Sequence, residues 1–298
     1  MMGKLTAIDI GSQMIKIVVG KMEKVWEIDK VMVKKTFPGA FYDGNFIDEE
    51  SILDTIFLGF IKKEINRKGL IFSMSGPFYS KIIEIENRIR KDTPDWLDWE
   101  FSIYFPDYYS FEYRYSIVEK QKNKMKFLVT AKPREIVERW RRVLSRLKIK
   151  NPSFIPEEIS LFNLLRYNYP EIETPIFFLN IGKSISSLIL VYKQKLIMSK
   201  KILLGIDEEN FENKMADILD KVREIISFLP SHKKPTRLYL GGGAGFYPEI
   251  SNFTQQYITI PSYIIDPFRK ILLKKDVEIE NPALFSIAIG SLLAKTRR

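Results

Sequence analysis

The chain predicts an α/β fold of two related halves facing a shared cleft, and three observations lead there. An apolar strand ending in an acid, a glycine and a hydroxyl opens the chain at Leu5-Thr6-Ala7-Ile8-Asp9-Ile10-Gly11-Ser12. Nearly the same layout returns at Ile176-Phe177-Phe178-Leu179-Asn180-Ile181-Gly182-Lys183-Ser184, again followed by a β-rich stretch. A third strand, Arg237-Leu238-Tyr239-Leu240, runs into Gly241-Gly242-Gly243-Ala244, where a backbone can approach a flat ligand closely. Glycine turns of this kind hold phosphate through successive backbone N–H groups. Two of them imply two related half-domains facing a shared cleft.

Along the first half, residues 5–19 alternate apolar and polar positions across a turn and read as a hairpin, which Val25 to Val33 extends. Phe37-Pro38-Gly39-Ala40 and Tyr42-Asp43-Gly44 break the sheet. Ser51 to Ile61 has helical spacing, with Asp48 or Ser51 able to cap its start. Gly69 to Ser75 is a compact apolar strand. From Asn87 to Ile149 the texture turns acidic and aromatic (Trp96, Trp99, Phe101, Tyr104, Phe105, Tyr108, Tyr109, Phe111, Tyr113, Tyr115), then gives a strand, Lys126 to Ala131, and a helix from Pro133 to Leu144 with proline in its first turn. This reads as a small α+β subdomain inserted into the first half, with the aromatics as its core and edge; a groove for a partner peptide is the other reading, because aromatic anchors carry binding energy at such sites. Phe154 to Tyr167 is the return helix and Pro170 to Pro175 a hinge. The second half has strands from Ile176 to Ile202. Its helix, Glu208 to Leu229, presents Phe211, Met215, Ile218, Leu219, Val222, Ile225 and Ile226 on one face. A helix rich in small residues, Asn281 to Ala294, closes the chain and suits close packing under a cleft. The expected boundaries are 1–86 for the first half, 87–152 for the insert, 153–172 for the return helix and hinge, and 173–298 for the second half.

Composition narrows the function classes. The 298 residues fit about two domains, and 45% hydrophobic content supports real cores. Met1-Met2-Gly3-Lys4-Leu5 leads straight into a strand, and later apolar runs are too short and too broken by charge for a signal peptide or a membrane span, so a cytosolic protein is expected. With no cysteine, disulfides, thiolate chemistry and Cys-ligated zinc are excluded; with His232 as the one histidine, so is a multi-His metal site. His232, in Pro230-Ser231-His232-Lys233-Lys234-Pro235, reads as a solvated loop. The net charge of +10 suits nucleic acid, an anionic membrane surface or an acidic partner. Its local clusters, Arg139-Trp140-Arg141-Arg142, Lys62-Lys63 and Lys200-Lys201, are expected on solvated faces. No motif that reads RNA or DNA accompanies them, so nucleic acid is not the expected partner. High Lys, Glu and Ile without Cys resembles a thermophile's proteome.

The order phosphate turn, phosphate turn, glycine platform resembles the actin-like (ribonuclease H-like) ATPase fold. Within it the chain resembles PilM of type IV pilus assembly, a relative of the cell-division protein FtsA. The resemblance rests on Ala7 to Val18, Pro38 to Asp48, Phe127 to Glu135, Leu240-Gly241-Gly242-Gly243, Asp266-Pro267-Phe268 and Asn281 to Gly290, and so spans nearly the whole chain. In that branch the inserted subdomain is called 1C.

The resemblance implies ATP and Mg²⁺ as cofactors. Asp9 would hold the ion through water; Gly11, Ser12 and Gln13 would cradle the β- and γ-phosphates, and Lys16 would neutralise their charge. Gly182, Lys183 and Ser184 would grip from the opposite side, and Gly241, Gly242 and Gly243 would form the adenosine platform. Glu157 or Glu158 would orient the attacking water. The resemblance also implies a partner, the short cytoplasmic N-terminus of the inner-membrane protein PilN, received between the insert and the first half. A peripheral place at the inner face of the membrane, contact with other pilus components, and a homo-oligomer or ring follow.

Two departures bear on catalysis. The second turn normally carries an aspartate where this chain has Asn180, a neutral acceptor, and metal-assisted hydrolysis should suffer. Gly205 to Arg237, long and helical in PilM proteins, is short here and holds essentially one helix, so the adenosine pocket lacks a wall and ATP binding could be lost. A non-catalytic scaffold is therefore expected; the alternatives are an active Mg²⁺-dependent ATPase that polymerises as FtsA does, and a scaffold of type II secretion in the GspL style.

Overall fold

The computed structural model describes residues 3–42, 44–65, 67–74, 79–86, 95, 99–100, 102–103, 107–149, 151–206 and 208–295. Strands β1 (Leu5–Ile10), β2 (Met14–Met22) and β3 (Trp26–Lys35) form an antiparallel meander, as the alternating pattern requires. A short hairpin, β4 (Phe41–Tyr42) with β5 (Asn45–Phe46), occupies the Gly-Pro break. Helix α1 (Glu49–Ile61) starts at Asp48, whose carboxylate accepts the Ser51 N–H at 3.2 Å and satisfies one orphan donor of the first turn. Strand β6 (Leu70–Met74) then runs parallel to β1.

Strands β7 (Tyr79–Glu86), β8 (Phe111–Lys120) and β9 (Lys124–Pro133) make a separate antiparallel sheet, ordered β7-β9-β8, around Ile83, Ile85, Phe127 and Val129. The insert's edges differ from those expected. Residues 79–86, assigned to the first half, pair inside this sheet. Conversely α2 (Arg134–Arg146), expected within the insert, packs Ile136, Trp140, Val143 and Leu144 into one core with Ile8, Ile10 and Phe72 of the first sheet. Its apolar stripe recurs at three- and four-residue steps, and Trp140 is wrapped edge-on by Phe41 and Phe46 while its indole N–H donates to the Gly44 carbonyl at 3.0 Å. Of the aromatic run, Trp96, Phe101, Tyr104 and Phe105 lie outside the described residues; Trp99, Tyr108 and Tyr109 are exposed, and Phe111 and Tyr113 pack partly on the insert's core. Strand β10 (Ser153–Pro156) pairs parallel with β6 where the return helix was expected to begin, and the helix itself, α3 (Glu157–Asn168), starts three residues later than Phe154.

The second half repeats the plan. Strands β11 (Ile176–Ile181), β12 (Ser186–Tyr192) and β13 (Lys195–Ile202) form a meander, and α4 (Phe211–Phe228) buries Met215, Ile218, Leu219 and Val222 from the predicted stripe. Strand β14 (Arg237–Gly242) returns parallel to β11; α5 (Ile250–Ile258) and β15 (Ser262–Ile264) follow. The orders β3-β2-β1-β6-β10 and β13-β12-β11-β14-β15 are the same topology used twice. A short strand, β16 (Leu272–Leu273), crosses back to the edge of the first sheet beside β3. The chain then enters a 3-10 turn, Pro282–Phe285, and α6 (Ser286–Leu293).

Helices α3 and α6 lie between the two sheets. One continuous core runs from Ala7, Val18 and Ile71 through Leu161, Phe162 and Ile289 to Phe178 and Ile189. Each large apolar side chain in it contributes about 1.5–3 kcal/mol. The helices touch at their backbones: a Cβ on Gly290 would collide with the Ser160 carbonyl oxygen. Beside that contact Ser291 Oγ lies 2.7 Å from both Ser73 Oγ and Ser160 Oγ, satisfying three buried hydroxyls. The halves are thereby held as one body, with their glycine turns on the same side. Among the described residues no helix is long and apolar enough to cross a membrane.

Candidate functional site

The β1–β2 turn and the β11–β12 turn face each other across a cleft of ≈ 480 Å³. Asp9, Gly11, Ser12, Gln13 and Lys16 line it from the first half, and Gly182, Lys183 and Ser184 from the second. Gly242 and Gly243 close one end and Glu157, at the start of α3, forms part of the floor with Leu284 and Ile287. Two candidates sit behind this surface. Gly241 backs onto the core, where a Cβ would lie 2.7 Å from the Phe178 ring and 2.9 Å from Ser286 Oγ. Glu158 is fully buried beneath Glu157.

The platform turn depends on glycine at one position. Gly242 has φ 66°, and a Cβ there would stand 2.5 Å from the Ile181 carbonyl oxygen and 2.9 Å from Asn180 Oδ1. The close approach brings the end of β14 against the second turn.

Charge is handled by two lysines. Asp9 is 2% exposed and stands in register opposite Lys16, whose Nζ is 3.1 Å from Asp9 Oδ2. Burial pushes the Asp9 carboxyl above its ordinary value, and the Lys16 ammonium works against that shift. On the other side Glu157 accepts from Asn180 Nδ2 at 3.2 Å and from Lys201 Nζ at 2.6 Å. Lys201 also donates to Ser187 Oγ at 2.6 Å and lies 3.5 Å from Glu158 Oε1. Burial opposes the charge of Lys201, but the two glutamates outweigh it and its pKa is raised. Burial likewise raises Glu158, with Lys201 pulling it back. Asn180 Oδ1 is buried without a hydrogen-bond partner among the described residues.

Lys201 is the site residue that sequence reasoning missed. Lys200-Lys201 was expected on a solvated face, yet only 11% of the Lys201 side chain is exposed. The available signal was Ser186-Ser187 at the start of an otherwise apolar strand, since a buried hydroxyl at Ser187 asks for a polar partner and Lys201 is its cross-strand neighbour.

The residues present fit a phosphate chain: the Gly11 N–H is spent on the Met14 carbonyl at 2.9 Å, but Ser12, Gln13 and Ser184 line the facing turns with donors, and Lys16 and Lys183 offer cations. They do not fit a divalent metal. The two carboxylates that line the cleft, Asp9 and Glu157, are each already met by a lysine.

A second, small depression lies where the inserted sheet meets the first half. Met74, Ala131, Val137, Phe154 and Pro156 give it an apolar floor beside the buried Lys132, and Glu112 and Arg114 give it charge.

Two sheets of repeated topology, two helices crossing between them and a cleft between paired glycine turns define the actin-like ATPase fold, and this chain has it. The solved structure of a PilM-PilN type IV pilus biogenesis complex is similar over 99% of this chain and 99% of its own, with TM-score 0.83 and 14% identity. The ethanolamine utilization protein EutJ from Carboxydothermus hydrogenoformans matches at TM-score 0.58 and 10% identity over 98% of this chain and 90% of its own. MreB5 of Spiroplasma citri bound to ADP matches at 0.55 and 10% over 98% and 96%. No family model matches the chain, and no curated protein matches it in sequence.

Proposed function

We propose that this chain is a PilM-like scaffold of a type IV pilus or related secretion machine. It holds the N-terminal tail of a PilN-like inner-membrane protein in the depression between the inserted sheet and the first half, and its cleft binds the phosphates of a nucleotide. The observation that carries this reading is the extent of the likeness: the match at TM-score 0.83 runs over 99% of both chains, insert included, whereas EutJ and MreB5 reach 0.58 and 0.55. An apolar floor with charges of both signs suits a short amphipathic peptide. Binding at the inner face of the cytoplasmic membrane, beside other components of the machine or further copies of this chain, follows from such a partner.

The scaffold reading is favoured over ATP turnover by the state of Glu157. Its two oxygens already accept from Asn180 and Lys201, so an attacking water would have to share them with both donors. The test is titration of the purified protein with the N-terminal peptide of a PilN-like protein from the same genome, read by fluorescence anisotropy. Saturable binding is expected, weakened about tenfold or more in Met74→Glu and Arg114→Glu. An absence of binding overturns the docking reading.

A further inference from the structure

We propose that the cleft takes the phosphate chain of a nucleotide, or a free oligophosphate, without a divalent cation, because Lys16 and Lys201 already neutralise the carboxylates that would hold the ion. This rests on the phosphate-binding reading of the cleft and goes beyond it to the chemistry of the ligand.

Magnesium beside a phosphate chain is held by the oxygens of one or two carboxylates, directly or through water, together with phosphate oxygens. At this cleft those oxygens would come from Asp9 and Glu157. Asp9 Oδ2 has the Lys16 ammonium at 3.1 Å. Glu157 has Lys201 on one oxygen at 2.6 Å and the Asn180 amide on the other at 3.2 Å. An ion entering beside either carboxylate would stand close to an ammonium group, and charge repulsion opposes it.

Both lysines are held by the carboxylates they meet. Lys16 lies directly over the first turn, its Nζ 2.9 Å from where a Gly11 Cβ would be, so its charge already sits at the base of the phosphate cradle. Lys201 is anchored to Glu157, Ser187 and Glu158. The strand that carries it is pinned at its other end, where Lys195 donates to Glu119 of the inserted sheet at 2.7 Å.

Asn180 is the position at which the arrangement can be reversed. Its Nδ2 donates to Glu157 while its Oδ1 is buried with no hydrogen-bond partner among the described residues. An aspartate of the same shape would lose the donor, face Glu157 with like charge, and present an unmet anionic oxygen to the cleft. A divalent cation supplies what that oxygen lacks.

The experiment is isothermal titration of the wild-type protein and Asn180→Asp with ATP, ADP and inorganic tripolyphosphate, each in magnesium and in EDTA. Wild-type affinity is expected to change by less than about threefold between the two buffers, and Asn180→Asp to bind about tenfold or more weakly in EDTA. Equal affinity for ATP and tripolyphosphate identifies an oligophosphate site, and tighter ATP identifies a nucleotide site; both uphold the proposal. Wild-type binding that requires magnesium overturns the proposal and leaves the cleft's phosphate reading standing. No binding of any ligand in either buffer overturns both, and leaves peptide docking to its own assay.

Discussion

At the first glycine turn an acid and its counter-charge occupy one hairpin, Asp9 on β1 and Lys16 opposite it on β2. At the second turn the acid is replaced by Asn180, and the cation has moved two strands away, to Lys201 on β13, where it meets Glu157 and Glu158 from α3 of the other half. The first pair is local and ties a turn to its own strand. The second is tertiary and ties the halves together across the cleft. A topology used twice thus carries two different electrostatic solutions, and the difference predicts which half suffers most when its lysine is removed.

The largest expected effect is at Lys201. Lys201→Met strands two buried carboxylates and should lower stability by about 3–5 kcal/mol, measured by urea unfolding. Adding Glu158→Gln should recover part of that loss; full additivity would mean that the two groups do not interact and would break the comparison.

Lys16→Met should cost less, about 1–2 kcal/mol, because Asp9 can take up a proton once its partner is gone. Burial already raises the Asp9 pKa. A carboxyl raised above its unfolded value of about 3.9 contributes stability below that value, and the contribution is lost as pH rises through the folded value. The Lys16→Met deficit should therefore grow from acidic to neutral pH; a deficit independent of pH would show that Asp9 is compensated by something else.

The turns should also differ in their need for glycine. Gly242→Ala forces an L-residue to φ 66° and sets its Cβ against Ile181 and Asn180, at a cost of about 1–3 kcal/mol. Gly11→Ala keeps an ordinary φ and meets the Lys16 ammonium at 2.9 Å and the Met14 carbonyl oxygen at 3.1 Å, and should cost less than Gly242→Ala, about 1 kcal/mol. Equal losses in thermal unfolding would remove this distinction.

The smallest effect is at the insert's contact with β13. Burial alone would raise Glu119, but Lys195, Gln121 and Lys126 outweigh it and hold its pKa at about 2. Its contribution is present above the unfolded value of about 4.3 and is lost as pH falls toward the folded value. Glu119→Gln should cost about 0.5–1 kcal/mol at neutral pH and flatten the stability profile over that acidic window. An unchanged profile would show that the contact does not hold the insert.

Much of this was legible because it is local. The strand-to-glycine turns, the Asp48 cap, the α4 stripe and the return helix each follow from residues within a few positions of one another. The insert's edges were not legible, because a strand at 79–86 and a helix at 134–146 look the same in sequence whichever sheet they join; Trp140 chose the first half by packing between Phe41 and Phe46, on a hairpin whose Gly44 lies 96 residues earlier. Nor could alternation reveal that Lys201 is buried, since its partners come from α3 and β12.

The sequence by itself determined the two-half α/β plan, the paired glycine turns and the amide Asn180 where the first turn has Asp9, all of them consequences of short-range pattern and residue chemistry. Only the tertiary structure decided where charge rests in the cleft. Burial makes an unpaired carboxylate costly, and the cations that meet Asp9 and Glu157 are set by strand register and by the packing of one half against the other.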